Sequence, residues 1–160
     1  MGTVEPLSST EEVLWRAVMR IVKVLPRHLD SDLTRGAGLT ASEYTTIMHL
    51  SEAPNSELRM ADLASATDLS ASRMTRLVDD LQSRGLVTKT ASSSDARGNV
   101  ARLTPRGRAK LKSAWPVHLV SVRRRFFDCI NAAAVDGVAN ALAEVASHLE
   151  DTSAEPGARS

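Results

Sequence analysis

Residues 69–104 read LSASRMTRLVDDLQSRGLVTKTASSSDARGNVARLT. Ser70 suits a helix N-cap, where a hydroxyl accepts from an orphan amide of the first turn. Met74, Leu77, Val78 and Leu81 then recur at the spacing of one buried helical face. Turning about 100° per residue away from that face puts Ser72, Arg76, Asp79 and Ser83 outward, with Arg73 and Thr75 on the flanks. Arg84-Gly85 is a helix stop. Leu86-Val87-Thr88-Lys89-Thr90 alternates like a half-buried strand, 91–99 holds no apolar side chain larger than alanine, and Val100-Ala101-Arg102-Leu103 is a returning strand. A helix followed by a hairpin in this order predicts a winged helix.

Near the N-terminus the outward groups are small donors and two arginines, a mix that suits base edges and phosphates in a major groove. Ser70, Ser72, Arg73, Thr75 and Arg76 are therefore candidate DNA contacts. Arg97 sits at the loop tip between Asp95 and Gly98, which shape the turn around it. From there an arginine reaches the negative potential of a narrow minor groove, with Asp95 orienting the loop. A plainer reading stands beside this one, in which Arg76 simply pairs with Asp79 or Asp80 along the helix.

Charge favours the first. Residues 70–110 hold nine Lys and Arg against three Asp, a net of +6, while the chain is +1, so the rest carries −5. Phosphate binding needs such a concentration. Just upstream, Met60–Ala66 is a short alanine-rich helical run followed by a turn at Thr67-Asp68-Leu69, which completes a helix-turn-helix. Leu58 is placed to add a short strand, and Arg59 stands where a polar cap would be natural.

The run DLASATDLSASRMTRLVDDLQSRGLVTKTASSSDARGNVARLTPRGRAKL, residues 62–111, resembles the central region of MarR-type transcriptional regulators. RGLV at Arg84 to Val87, Asp95-Ala96-Arg97, and Leu103-Thr104-Pro105-Arg106-Gly107 come in the family's order and separations. Lys89 stands where many members have arginine, which keeps a backbone contact but loses the bidentate fork. The resemblance implies a homodimer on a pseudo-palindromic operator, usually a repressor and often released by a small molecule.

The flanking segments predict a mainly α chain with a small β wing: one domain, in which residues 9–35 and 104–150 are dimerisation helices around a winged helix-turn-helix lobe at 40–103. Ser9 to Glu12 is a capping-box pattern before a face of Leu14, Val18, Ile21, Val22, Leu25 and Leu29, with a bend expected at Pro26. Thr40 and Glu43 form a second box for a helix carrying Tyr44, Ile47 and Met48. Thr104 and Pro105 open a long helix expected to reach about residue 130, roughly 39 Å at 1.5 Å per residue, with a kink at Pro116. A last helix over 135–149 carries Val138, Leu142, Val145 and Leu149. These outer helices hold more apolar residues than a small lobe buries, and a two-fold dimer doubles the DNA footprint.

The resemblance places an effector between the dimerisation helices and the DNA-binding lobe. Trp15, Arg16, Arg20 and His49, with Arg27, are the candidates for holding an anionic aromatic compound. His28, His49, His118 and His148 are too dispersed for a metal site, and no cofactor is expected. Cys129, the only cysteine, reads as a buried, inert thiol near the end of the long helix. Arg123-Arg124-Arg125 points three ways around a helix and reads as a solvated or salt-bridged run. No catalytic motif occurs, and neither a signal-peptide pattern nor a membrane-length apolar run is present, which predicts a cytosolic, non-enzymatic protein without membrane contact. The competing function is a winged-helix module that binds an acidic protein surface.

Overall fold

The computed structural model describes residues 4–91 and 99–153. Asp95, Arg97 and Gly98, on which the reading of the loop tip rests, lie outside the described residues. The chain divides into two compact units, Met1–Val122 and Arg123–Ser160.

In the first unit, α1 spans Ser9–Ala37. Its capping box lies one residue earlier than the sequence pattern indicated. Ser8 is the extended cap, its N–H and hydroxyl both donating to Glu11 Oε2 at 2.7 Å while Glu11 N–H returns to Ser8 Oγ at 3.3 Å. Glu12, the partner expected from the sequence, instead faces Arg16 one turn on. The Ser8 hydroxyl and then its backbone amide hold the Glu11 carboxyl below the usual range. The helix continues through Pro26 and ends at Gly38, whose φ of 60 lets its N–H reach Thr34 O at 3.0 Å. Two residues on, α2 (Ala41–Glu52) starts with the expected box, Thr40 N–H donating to Glu43 Oε2 at 2.7 Å. It stops just before Pro54.

Then come β1 (Glu57–Arg59), α3 (Met60–Ala66), α4 (Ala71–Ser83), β2 (Val87–Ala91) and β3 (Asn99–Leu103). The strands form one antiparallel sheet in the order β1-β3-β2, with Leu58 opposite Ala101 and Val87 opposite Leu103. The short strand expected at Leu58 is thus part of the sheet. Arg59 is the N-cap of α3 and makes no side-chain capping bond, since a guanidinium has no acceptor to offer the first-turn amides. Met74, Val78 and Leu81 of α4 are fully buried against Leu33, Ile47, Leu50, Leu63, Val87 and Leu103 in a single core. Each such side chain contributes about 1.5–3 kcal/mol on leaving water.

The junction after β3 explains the Leu-Thr-Pro-Arg-Gly run. Thr104 donates its hydroxyl to the carbonyls of Gly85 (2.8 Å) and Leu86 (3.0 Å) and accepts from Gly107 N–H (3.0 Å), so one side chain joins the hairpin to the first turn of α5 (Pro105–Arg125). Gly107 presses so closely that a Cβ there would run into the Leu86 carbonyl oxygen and Leu103 Cδ1. Farther along α5, buried Ser121 donates to Asp32 Oδ2 of α1 at 2.6 Å, and Val117 covers Gly36.

The long helix ends at Arg125, five residues short of the length expected from its composition. Phe126 (φ −133, ψ −65) breaks it and two 3-10 turns follow, Phe127–Cys129 and Ala132–Ala134. In this second unit the Phe126 and Phe127 rings meet edge to face at 5.3 Å. The break also overturns the buried reading of Cys129, which is exposed in the first turn rather than continuing a covered helical stripe. Helix α6 (Val135–Ser153) is the last described element, with Val138, Leu142, Val145 and Leu149 exposed.

Candidate nucleic-acid interface

The candidate surface begins with how α4 is started. Thr67 caps α3, Asp68 takes a left-handed turn (φ 53), and Ser70 becomes the extended N-cap whose hydroxyl accepts from Arg73 N–H at 3.4 Å. No acidic residue occupies the first turn of α4, which leaves the positive end of its dipole open to an anion. Ser70, Ser72, Arg73, Thr75 and Arg76 are all exposed there. Ser72 lies within 3.4 Å of Ser70, hydroxyl to hydroxyl, and Thr75 donates its hydroxyl to Ala71 O at 2.9 Å.

The carboxylates of the same helix are engaged elsewhere. Asp79 pairs with Lys89 of β2, and Asp80 with Arg84 at 3.1 Å. The guanidinium groups of Arg73 and Arg76 have no hydrogen-bond or ion-pair partner among the described residues. The pairing of Arg76 with Asp79 or Asp80, which the spacing allowed, does not form. Lys89 is drawn into the fold instead of standing clear as a free phosphate contact: it is half-buried and held by Asp79. Asp79 and Asp80 are thus paired with Lys89 and Arg84, and two guanidiniums without a partner among the described residues remain on the N-terminal half of the helix.

Arg84, known from the sequence only as part of a stop signal, fixes this helix in place. Its Nη1 donates to Glu43 Oε1 at 2.8 Å and to Asp80 Oδ2, and its Nη2 to Gly38 O at 2.9 Å. One guanidinium therefore joins the C-terminus of α1, the capping carboxylate of α2 and the end of α4. The sequence carried a hint in the basic residue before Gly85, but two of its three partners, Glu43 and Gly38, lie more than forty positions away.

Similarity to known proteins follows the same residues. The sequence pattern of the MarR family matches residues 37–98. A MarR family transcriptional regulator from Streptomyces coelicolor, Sco3205, solved in complex with DNA, is 30% identical over 93% of this chain and 93% of its own, with a TM-score of 0.81. AbsC, from the same organism, is 32% identical over 92% of this chain and 99% of its own, with a TM-score of 0.80. The chain belongs to the MarR family. The transcriptional repressor Rv2887 of Mycobacterium tuberculosis is 36% identical over 80 residues. This MarR family chain spans a little over half the length of the curated relatives it matches.

The residues singled out for an effector do not share an element. Trp15, Arg16 and Arg20 are exposed on the first half of α1, Arg16 within 3.4 Å of Glu12, whereas His49 is half-buried on α2. None of them lines the cleft of about 490 Å³ formed by Asn55, Ser56, Leu103, Thr104, Arg108 and Lys112, with Pro105 and Ala109. A different pair stands out between α2 and α5. The Tyr44 ring stacks on His118 with centroids 4.6 Å apart, and Trp115 leans on the same imidazole at 6.2 Å. Tyr44 OH and His118 Nδ1 are buried without a hydrogen-bond partner among the described residues. Burial, and secondarily the charge of Glu52, pushes the Tyr44 hydroxyl pKa up, and burial pushes that of His118 down. Spacing along the sequence gave no sign of this pair, whose members are seventy-four positions apart. Among the described residues no cluster of His, Cys, Asp and Glu is arranged to hold a metal.

Proposed function

We propose that this chain is a sequence-specific regulator that binds double-stranded DNA as a homodimer, acting as a repressor at a pseudo-palindromic operator. The observation that carries the reading is the pair of exposed arginines, Arg73 and Arg76, whose guanidiniums have no partner among the described residues while Asp79 and Asp80 are engaged by Lys89 and Arg84. An arginine free of internal partners can take guanine O6 and N7 with both arms, or a phosphate. The match in fold and sequence to a relative solved with DNA supports DNA as the partner.

Dimerisation is supported by apolar side chains that a lone chain leaves in water. Leu14, Trp15, Ile21 and Val22 of α1 are exposed, as are Leu142, Val145 and Leu149 of α6. Patches of this kind mark association surfaces, and a two-fold partner presents the same faces in return. Two recognition helices then address half-sites about one helical turn apart.

For release, Tyr44 and His118 are better placed than the residues indicated by the sequence. Two buried polar atoms without a partner among the described residues suit a ligand that can hydrogen-bond both, and the neighbouring Trp115 suits an aromatic one. An aromatic compound with hydrogen-bonding groups, such as a phenol, fits this chemistry. A DNA-binding role goes with a cytosolic location, and among the described residues no single helix is long and apolar enough to cross a membrane.

The test is selection from a random duplex library with the intact chain, followed by sedimentation of the selected complex. Enrichment of an inverted repeat bound by two protomers supports the reading. Failure to enrich any sequence overturns it and favours a module whose basic face serves an acidic protein surface. A panel of phenolic acids, added to wild type and Tyr44→Phe, tests the release arm separately.

A further inference from the structure

Thr75 offers a partner a methyl group rather than a hydroxyl proton. Its Oγ1 donates to the carbonyl of Ala71, four residues back, at 2.9 Å, which spends the only proton the side chain has. What remains available on this exposed residue is the γ-methyl on the other branch of Cβ, beside an Oγ1 that can now only accept. Ala71, also exposed, lies one turn earlier and about 40° around the axis, so two small apolar groups stand side by side on one flank of α4. Arg73 is on the opposite flank, about 160° away, with Ser72 and Arg76 between.

We infer that Thr75, flanked by Ala71, reads the 5-methyl group of a thymine in each half-site, while Arg73 and Arg76 address guanine or phosphate across the groove. The inference rests on the DNA reading above and adds a base preference to it. In the major groove thymine is distinguished by its methyl group, and small apolar side chains recognise it by contact. A hydroxyl already committed within the helix gives no hydrogen to guanine O6 and N7, so it does not reward guanine at that position. The two flanks therefore carry different chemistry, and a half-site facing them is expected to pair a thymine with a guanine on opposite sides of the helix.

Uracil tests this without disturbing base pairing, because it is thymine lacking the methyl. Each thymine of the duplex enriched by the wild-type chain is replaced in turn by deoxyuridine, and binding is measured for wild type, Thr75→Val and Thr75→Ser. Valine keeps methyl groups and loses the hydroxyl; serine keeps the hydroxyl and loses the methyl. Wild type and Thr75→Val are expected to lose about fourfold in affinity at one thymine of each half-site, the equivalent of one buried methyl group, and Thr75→Ser to be indifferent there. The inference is overturned if wild type tolerates uracil at every position, or if Thr75→Ser stays as sensitive as wild type. Should the wild-type chain enrich no duplex at all, the DNA reading itself fails, an outcome distinct from enrichment without a methyl effect.

Discussion

Replacing Arg84 by methionine, which keeps the length of the stem and removes the guanidinium, isolates the clamp behind the recognition helix. Three acceptors lose a donor: Glu43 Oε1 at 2.8 Å, Gly38 O at 2.9 Å and Asp80 Oδ2 at 3.1 Å. They do not count equally. The Asp80 side chain is 55% exposed and water replaces the lost partner, so that contact contributes under about 0.5 kcal/mol. The Glu43 side chain is only 13% exposed and Arg84 33%, and hydrogen bonds to charged groups in such settings contribute roughly 1.5–3 kcal/mol. The expected loss is about 2 kcal/mol, a fall of roughly 4–8 °C in melting temperature for a chain of this size. Urea unfolding at fixed protomer concentration reads it, since a dimer's stability depends on concentration. Asp80→Asn is the control and should stay within about 0.5 kcal/mol of wild type. Glu43→Gln preserves a capping side chain, so the cycle of Glu43→Gln with Arg84→Met isolates the ion pair, with a coupling of about 1 kcal/mol expected. Arg84→Met matching wild type, or Asp80→Asn costing as much as Arg84→Met, would refute the reasoning.

Gly107→Ala should prevent the hairpin from docking on α5, because the new methyl meets the Leu86 carbonyl oxygen, a backbone atom with nowhere to move; loss of the cooperative unfolding transition is the expected result, and a wild-type transition the contrary one. Asp79→Asn releases Lys89, so non-specific DNA affinity should rise and the slope of log affinity against log salt should steepen by about one per protomer. An unchanged slope would mean that Lys89 stays out of reach of phosphate even when freed. For His118, burial lowers the pKa below 6.5, so the unfolded chain takes up a proton before the folded one. Stability from this site is complete above that value and declines as the pH falls through it. His118→Phe, which keeps a ring against Tyr44, should flatten unfolding free energy between about pH 7.5 and pH 5; equal slopes in both proteins would count against it.

Much of the lobe was legible because its signals are local. Ser70, the spacing of Met74, Val78 and Leu81, and the small residues of Met60–Ala66 each act within a turn or two, and the helices start and stop close to where those residues dictate. Thr40 and Glu43 were legible for the same reason, whereas two overlapping serine-glutamate pairs at the start of α1 left the sequence ambiguous by one residue. The end of α5 was not readable: nothing in Arg125-Phe126-Phe127 forbids a helix, and only the backbone of Phe126 breaks it. Cys129 was misplaced as a consequence. At the site, exposure of Ser72, Arg73, Thr75 and Arg76 followed from periodicity. Whether each was committed did not, because Lys89, Glu43 and Gly38, which decide how Asp79 and Arg84 are used, come from other elements.

Salt dependence of DNA binding puts the two free arginines to the test. Anisotropy of a labelled duplex carrying the enriched sequence, titrated at rising salt, compares wild type with the Arg73→Ala/Arg76→Ala double variant. Both side chains are exposed and without partners among the described residues, so the variant should unfold like wild type. Wild-type affinity should fall steeply with salt, and the double variant should bind at least about tenfold more weakly, with a slope smaller by up to two per protomer. Equal affinity and equal slope in the two proteins would contradict a recognition surface built on the N-terminal half of α4.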